Sequence, residues 1–129
     1  MTFPALAPEM ILRRLAVELP RYRFSFLLEA DLHRGVSEVL ERLGLPFEHE
    51  FIAGPGARFD FFIADTVVVE VKVAGSLPEA FTQVNRYCAL ESVGGVAVVN
   101  SSGWGRRAKY CDTFNGKPVR LIDVQRRAF

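Results

Sequence analysis

Two carboxylates and a lysine lie on neighbouring segments that both have the pattern of a β-strand: Asp60 in segment 58–63, and Glu70 and Lys72 in segment 67–73. The second segment is otherwise almost entirely valine, which is typical of a central strand covered on both faces. Alternation along a strand places Glu70 and Lys72 on the same face. Three ionisable side chains are therefore expected close together in an apolar setting.

A short turn centred on Asp65 would pair the two segments antiparallel, so that Asp60 faces Glu70. Directly opposed side chains have Cβ atoms about 4.5–5.5 Å apart. Burying two carboxylates at that separation is costly unless a cation lies between them. Mg²⁺ prefers carboxylate and carbonyl oxygens with waters, and it leaves room for phosphate oxygens. The spacing therefore predicts a divalent-metal site, where Lys72 would contact a phosphate or help deprotonate an attacking water.

Asp60 followed by Glu70-Val71-Lys72 resembles the Asp…(Glu/Asp)-x-Lys signature of the PD-(D/E)xK nuclease superfamily. The resemblance covers about residues 25–100. It implies a restriction-endonuclease-like αβββαβ core and cleavage of phosphodiesters that depends on Mg²⁺ or Mn²⁺. It also implies that Asp60, Glu70 and the Val71 carbonyl bind the metal, while Lys72 positions or activates the water.

The flanking segments agree with the resemblance. A glutamate on the preceding helix is common in that superfamily, and Glu29 fits this pattern, with Glu38 as a second candidate. The following helix often carries Gln-x-x-x-Tyr, which Gln83 and Tyr87 match, and this spacing places both on one helix face. Phe59 stands where the signature has proline, which removes no ligand. The resemblance thus assigns auxiliary catalytic roles to Glu29 and Gln83.

Several of these residues also have purely structural interpretations. Glu-x-Lys tripeptides often form simple charge pairs on exposed strands. Glu29 suits the first turn of a helix and could pair with His33 four residues later. His33 and His49 have no cysteine at ligand spacing, so we expect them to be non-catalytic. Trp104 lies beside glycines and arginines and could stack on a base, but we expect ordinary packing.

The net charge of +1, from 16 Lys and Arg against 15 Asp and Glu, identifies no partner. The distribution is uneven, because residues 104–129 carry seven basic and two acidic side chains. Such an excess could meet a polyanion and is equally typical of a solvated terminal segment. Given the resemblance, the expected partner is DNA, with RNA left open. The expected backbone contacts come from five basic residues: Arg58, Arg86, Arg106, Arg107 and Lys109.

Hydrophobic patterns predict the order helix, helix, three strands, helix, strand, irregular or helical segment, strand. The second helix is expected at about 26–43, with Ser25 as its N-cap and Leu28 on its apolar stripe. A capping box at Ser76 opens a helix that runs to about residue 91. The fold class is therefore α/β, a mixed sheet flanked by helices, with an extra N-terminal helix at about 8–19.

The 129 residues, half of them hydrophobic, suit one folded domain. We expect a single nuclease-like domain over 1–129, with its core at about 25–124 and a helical extension at 1–24. Cys88 and Cys111 form no CxxC pair or disulfide framework, which favours reduced thiols in a cytoplasm. No apolar run reaches the roughly 20 residues of a membrane span, so no membrane partner is expected.

Two further hypotheses remain beside the Mg²⁺-dependent nuclease. The chain could be a catalytically inactive nucleic-acid-binding or assembly module of the same fold. It could also be a regulatory α/β domain in which Asp60, Glu70 and Lys72 form a buried ion network. Because a chain of this length leaves little room for a separate specificity domain, a homodimer or a partner protein is expected with the nuclease.

Overall fold

A computed structural model describes residues 6–107 and 112–126. Lys109 and Cys111 lie outside the described residues. Along the chain the elements are α1 (Pro8–Glu18), β1 (Arg23–Phe24), α2 (Glu29–Arg42), β2 (Phe47–Gly54), β3 (Ala57–Ile63), β4 (Val67–Lys72), α3 (Leu77–Cys88), β5 (Gly95–Asn100), α4 (Trp104–Arg107), β6 (Thr113–Phe114), β7 (Lys117–Asp123) and β8 (Gln125–Arg126). Across these described ranges, no helix has the length and hydrophobicity that crossing a bilayer requires.

Six strands form one mixed sheet in the order β2-β3-β4-β5-β7-β6. The first three make an antiparallel meander, and β4, β5 and β7 run parallel. The step from β4 to β5 passes through α3, as a parallel connection requires. β1 and β8 form a separate parallel pair. The predicted α/β class, with a mixed sheet between helices, is confirmed.

Apolar side chains cover both faces of this sheet. On one face, the α1 residues Ile11, Leu12 and Leu15 are buried in the same cluster as Val69 and Val71 of β4. This N-terminal helix is therefore part of the core. The opposite face is covered by α3 and α4, which supply residues that include Tyr87 and Trp104. Trp104 is buried, so its predicted packing role is confirmed.

The β3–β4 hairpin has the predicted register. Its ladder pairs Phe61 with Val69, Phe62 with Val68 and Ile63 with Val67. Ala64 and Asp65 in the turn adopt left-handed backbone angles, with φ of 50° and 57°. Aspartate tolerates this conformation better than most residues do. The turn centred on Asp65 is therefore confirmed, and it aligns Asp60 with Glu70.

The start of α2 differs from the prediction. The helix begins at Glu29 rather than at about residue 26, and its N-cap is Leu28 rather than Ser25. The Asp31 carboxylate accepts hydrogen bonds from the amides of Leu27 and Leu28, at 3.2 and 3.1 Å. An acid in the first turn thus replaces the expected hydroxyl cap. Leu28, placed on the apolar stripe by its spacing, is 68% exposed instead.

Two leucine substitutions on α2 test where this helix begins. Leu32 is fully buried, so Leu32→Ala should lower the free energy of unfolding by about 2–5 kcal/mol, measured by urea denaturation. Leu28→Ala should change it by less than about 0.5 kcal/mol, because the side chain already contacts water. Similar losses in the two variants would contradict the observed start of α2.

Candidate active site

Regular backbone pairing between β3 and β4 ends at Phe61 and Val69, and beyond it two acidic side chains accept the backbone hydrogen bonds. Beyond the Phe61–Val69 pair, the Asp60 amide donates a hydrogen bond to Oε2 of Glu70 at 2.8 Å. The Val71 amide donates to Oδ2 of Asp60, also at 2.8 Å. Each carboxylate is thus bonded to the backbone of the opposite strand. The structure brings together the two acids that the sequence placed face to face.

Asp60 lies at the point where the side chains of β3 stop alternating regularly between the two faces of the sheet. Phe62 and Phe59 both belong to the cluster on the α3 side, whereas Phe61 and Ile63 belong to the cluster on the α2 side. Regular alternation would place Phe59 with Phe61 instead. The alternation therefore breaks at Asp60, where the backbone ladder also ends. The site lies where the sheet opens between β3 and β4.

Glu70 is the most deeply buried acid of the site, with 2% of its surface exposed. Burial, and then the charge of the neighbouring Asp60 carboxylate, raise its pKa to about 8, against the opposing effects of the Asp60 amide and the Lys72 charge. Tyr87 packs nearby, and burial and then the Glu70 charge raise its pKa as well. Without a cation, Glu70 therefore holds a proton through most of the neutral range.

All the residues assigned to catalysis or metal binding line one cavity of about 350 Å³: Glu29, Asp60, Glu70, Val71, Lys72 and Gln83. Glu38, the second candidate glutamate, lies on a different groove beside Tyr22 and Arg42. It points away because it is nine residues along α2 from Glu29, half a turn out of phase with it. The prediction of Glu38 as an alternative is therefore wrong.

The donor set of this cavity fits a hard divalent cation. The bonds to the opposite strand use one oxygen of each carboxylate, so Oδ1 of Asp60 and Oε1 of Glu70 lie outside them. The Val71 carbonyl faces β3 too, since amide and carbonyl of a strand residue point the same way. Within residues 6–107 and 112–126, no three His, Cys, Asp or Glu side chains form a metal-binding group. Two carboxylates and a carbonyl form the sparse protein set that Mg²⁺ supplements with water.

Lys72 and Gln83 lie at the junction of two cavities. Both also line a second cavity of about 300 Å³, which extends along α3 to Arg86. Lys72 has no ion pair within 4 Å among the described carboxylates. Gln83 donates to the Tyr87 hydroxyl at 3.0 Å, and that hydroxyl donates to the Arg58 carbonyl at 2.8 Å. The predicted shared face of Gln83 and Tyr87 is thus confirmed, and it ties α3 to β3.

His33 and His49, expected from the sequence to be non-catalytic, both line this cavity. Nδ1 of His33 lies 2.9 Å from Nε2 of His49, and Nε2 of His33 lies 3.7 Å from Oδ2 of Asp60. The possible pairing of His33 with Glu29 is replaced by these two contacts. The lack of a cysteine at ligand spacing does not bear on this pair, because the two histidines contact each other. The position of His33 one helical turn after Glu29, on the same face, was a signal that His33 lies in this cavity, whereas no spacing indicates its contact with His49.

The predicted nucleic-acid contacts fall into two groups. Arg58 lines the first cavity, where it forms a 2.9 Å ion pair with Glu50, and Arg86 lines the second cavity. Arg106 and Arg107 on α4 line neither, and Arg106 pairs with Asp123 at 3.5 Å. These two arginines are therefore not brought into the candidate site.

The α4 arginines nevertheless lie at the same edge of the sheet as the site. Lys72, Asn100 and Asp123 form one row across β4, β5 and β7. The amides of Gly105 and Arg106 donate to the Asp123 carboxylate, which fixes α4 above the end of β7. Adjacent strands are about 5 Å apart, so the row ends about 10 Å from Lys72. A long substrate could reach α4 from the cavity.

The raised pKa of Glu70 predicts how stability depends on pH. A carboxyl that binds its proton more tightly when folded stabilises the fold most below pH 4.5, its unfolded pKa, and this stabilisation declines until about pH 8. Glu70→Gln should remove that decline, by up to about 1 kcal/mol per pH unit between pH 5 and 8 in metal-free urea unfolding. Glu41→Gln, an exposed change on α2, is the control. Parallel curves for wild type and Glu70→Gln would contradict the assignment.

Comparison of the chain with protein-family models, curated proteins and solved structures found no match. The functional assignment therefore rests on the chemistry and geometry of this cavity and on the resemblance of its motif.

Proposed function

We propose that this chain is a Mg²⁺-dependent nuclease of restriction-endonuclease-like fold that hydrolyses phosphodiester bonds of DNA, with Mn²⁺ as a substitute metal. The observation that carries the proposal is that each carboxylate accepts a backbone amide of the opposite strand, Glu70 from Asp60 and Asp60 from Val71, with Lys72 on the same cavity. The element order α2-β2-β3-β4-α3-β5 supports it, since this is an αβββαβ arrangement. The acids lie on the second and third strands of its meander.

Asp60, Glu70 and the Val71 carbonyl are the residues that would hold the cation. When bound, it would polarise a phosphate oxygen and lower the pKa of a water molecule. Glu70 must first release its proton, because only the carboxylate binds a metal. Asp60 and the Val71 amide keep the two strands at a fixed separation while that occurs. The buried acid thus remains in place in both protonation states.

Lys72 supplies the positive charge nearest to the reacting phosphate. Its ammonium group contacts a phosphate oxygen or orients the attacking water, and it has three N–H donors for this task. Water attacks phosphorus and the 3′ oxygen leaves, so the products carry a 5′ phosphate and a 3′ hydroxyl. Gln83, held by Tyr87, and Glu29, at the start of α2, hold the water and the strand around this centre.

The two cavities that meet at Lys72 differ in charge. The first has four acids, Glu29, Glu50, Asp60 and Glu70, against Arg58 and Lys72. The second has one acid, Glu79, against Lys72 and Arg86. The strand phosphate that follows the reacting one is therefore bound on the α3 side, where Arg86 lies. Arg58 is partly neutralised by Glu50 and contributes less.

An inactive nucleic-acid-binding or assembly module of the same fold is the second candidate. It is favoured by one observation: the pKa of Glu70, raised to about 8 by burial and by Asp60, leaves this acid protonated at neutral pH when no metal is bound. Such a module would bind DNA in a salt-dependent manner, with no effect of chelators or of Asp60→Asn.

Cleavage assays separate these candidates. Untagged protein with Mg²⁺ or Mn²⁺ should cleave duplex or single-stranded DNA, and Lys72→Ala should lower the rate at least about 100-fold, because the cation beside the phosphate is lost. Arg120→Ala removes an exposed cation on β7 and should cleave like wild type. Circular dichroism melting checks that both variants fold. Two outcomes would refute the nuclease. One is that Lys72→Ala cleaves as fast as the wild type, and the other is that the wild type cleaves no form of DNA or RNA.

Metal binding should depend on pH with a defined sign. Because the pKa of Glu70 is about 8 without metal, each pH unit below 8 should weaken apparent Mg²⁺ affinity about tenfold. Mg²⁺ should therefore raise Tm more at pH 8 than at pH 6. Glu70→Ala should show no such rise at either pH. An equal rise in the wild type and in Glu70→Ala would mean that the ion binds elsewhere.

A further inference from the structure

His33 and His49 contact each other beside Asp60, in the cavity of the candidate site. His33 is on α2 and 8% exposed, and His49 is on β2 opposite Phe61 in the ladder. The His49 ring stacks on Phe61 with a centroid distance of 4.7 Å, and the His33 ring lies 5.6 Å from the same phenyl group. Phe61, which is fully buried, thus holds both imidazoles in place.

The partners of the ring nitrogens determine where the protons lie. An ionised carboxylate only accepts hydrogen bonds, and Nε2 of His33 lies 3.7 Å from Oδ2 of Asp60. A lone pair on that nitrogen would face the carboxylate, so the proton belongs on Nε2. A neutral His33 then accepts at Nδ1, and His49 must donate from its Nε2 across the 2.9 Å contact. The donors therefore point in one direction, from His49 through His33 toward Asp60.

We propose that His33 is a positioning residue that holds Asp60 in the orientation needed for metal binding, and that His49 fixes the tautomer of His33. This inference rests on the nuclease function proposed above. The Val71 amide and His33 both approach Oδ2 of Asp60, so together they fix the rotation of the carboxylate and leave Oδ1 toward the cavity. Partners of this kind, behind a metal ligand, typically change metal affinity 10–100-fold when removed.

A purely structural role for His33 predicts a different tolerance of substitutions than a positioning role does. If His33 only fills space on α2, phenylalanine should replace it without consequence for the metal. If its Nε2–H orients Asp60, glutamine should replace it better, because its amide nitrogen reaches the position of Nε2 and can donate there. The pair His33→Phe and His33→Gln therefore separates packing from the polar contact with Asp60.

The first experiment measures the Mg²⁺ concentration for half-maximal cleavage, separately from the rate at saturating Mg²⁺. We expect His33→Phe to raise this concentration about tenfold or more, His49→Phe to raise it severalfold, and His33→Gln to remain within about threefold of wild type. Equal Mg²⁺ requirements in wild type and His33→Phe, or a loss in His33→Gln as large as in His33→Phe, would overturn the proposal.

The second experiment does not require activity. The chain has two histidines, so long-range ¹H–¹⁵N spectra of untagged, metal-free protein at about pH 8 should contain two imidazole rings. We expect both protons on Nε2, with a shift of the His33 Nε2 signals in Asp60→Asn that Asp65→Asn, a change in the hairpin turn, does not cause. A proton on Nδ1 of His33 would overturn the proposal. Absence of cleavage would refute the nuclease alone, and these spectra would still decide the role of His33.

Discussion

Two neighbouring carboxylates, Glu70 buried and Asp60 half-buried, are the constraint on which the rest of the site depends. Asp60 and Glu70 would repel each other if both were ionised, and burial alone already favours protonated Glu70. The fold accommodates them by giving each a backbone amide from the opposite strand. The ladder between β3 and β4 ends there as a consequence, and the opening becomes the cavity. One electrostatic conflict thus accounts for the end of the ladder and for the opening in the sheet.

Polar contacts extend from this pair through the elements around it. Tyr87 connects α3 to the backbone of β3, and Gln83 completes that connection. On the other side, His33 and His49 connect α2 and β2 to Asp60. Helices on both faces of the sheet therefore hold the acids through polar contacts as well as through apolar packing. Such polar networks are most effective when fully satisfied, and the described buried side chains leave no polar atom without a partner.

Much of this arrangement followed from local patterns. The valine run of β4, the turn at Asp65 and the alternation of the strands were sufficient to place Asp60 opposite Glu70, because hairpin register depends on few residues. The predicted start of α2 was wrong because Asp31, in the first turn of the helix, accepts the amides of Leu27 and Leu28. The cap is therefore a carboxylate within the helix and not the hydroxyl of Ser25 before it. The histidines were missed because His33 and His49 meet only after α2 folds onto β2. Contacts between distant segments of this kind have no signature in spacing.

The first helix has a consequence for how defects in this protein will present. Ile11, Leu12 and Leu15 belong to the same buried apolar cluster as Val69 and Val71, the two residues that flank Glu70 on β4. Damage to this packing is transmitted to the acids through β4, a buried strand in the middle of the sheet. Genetic screens would therefore score lesions in α1 as loss of function, although no residue of this helix lines the candidate cavity. Position in the primary structure is thus a poor guide to distance from the chemistry.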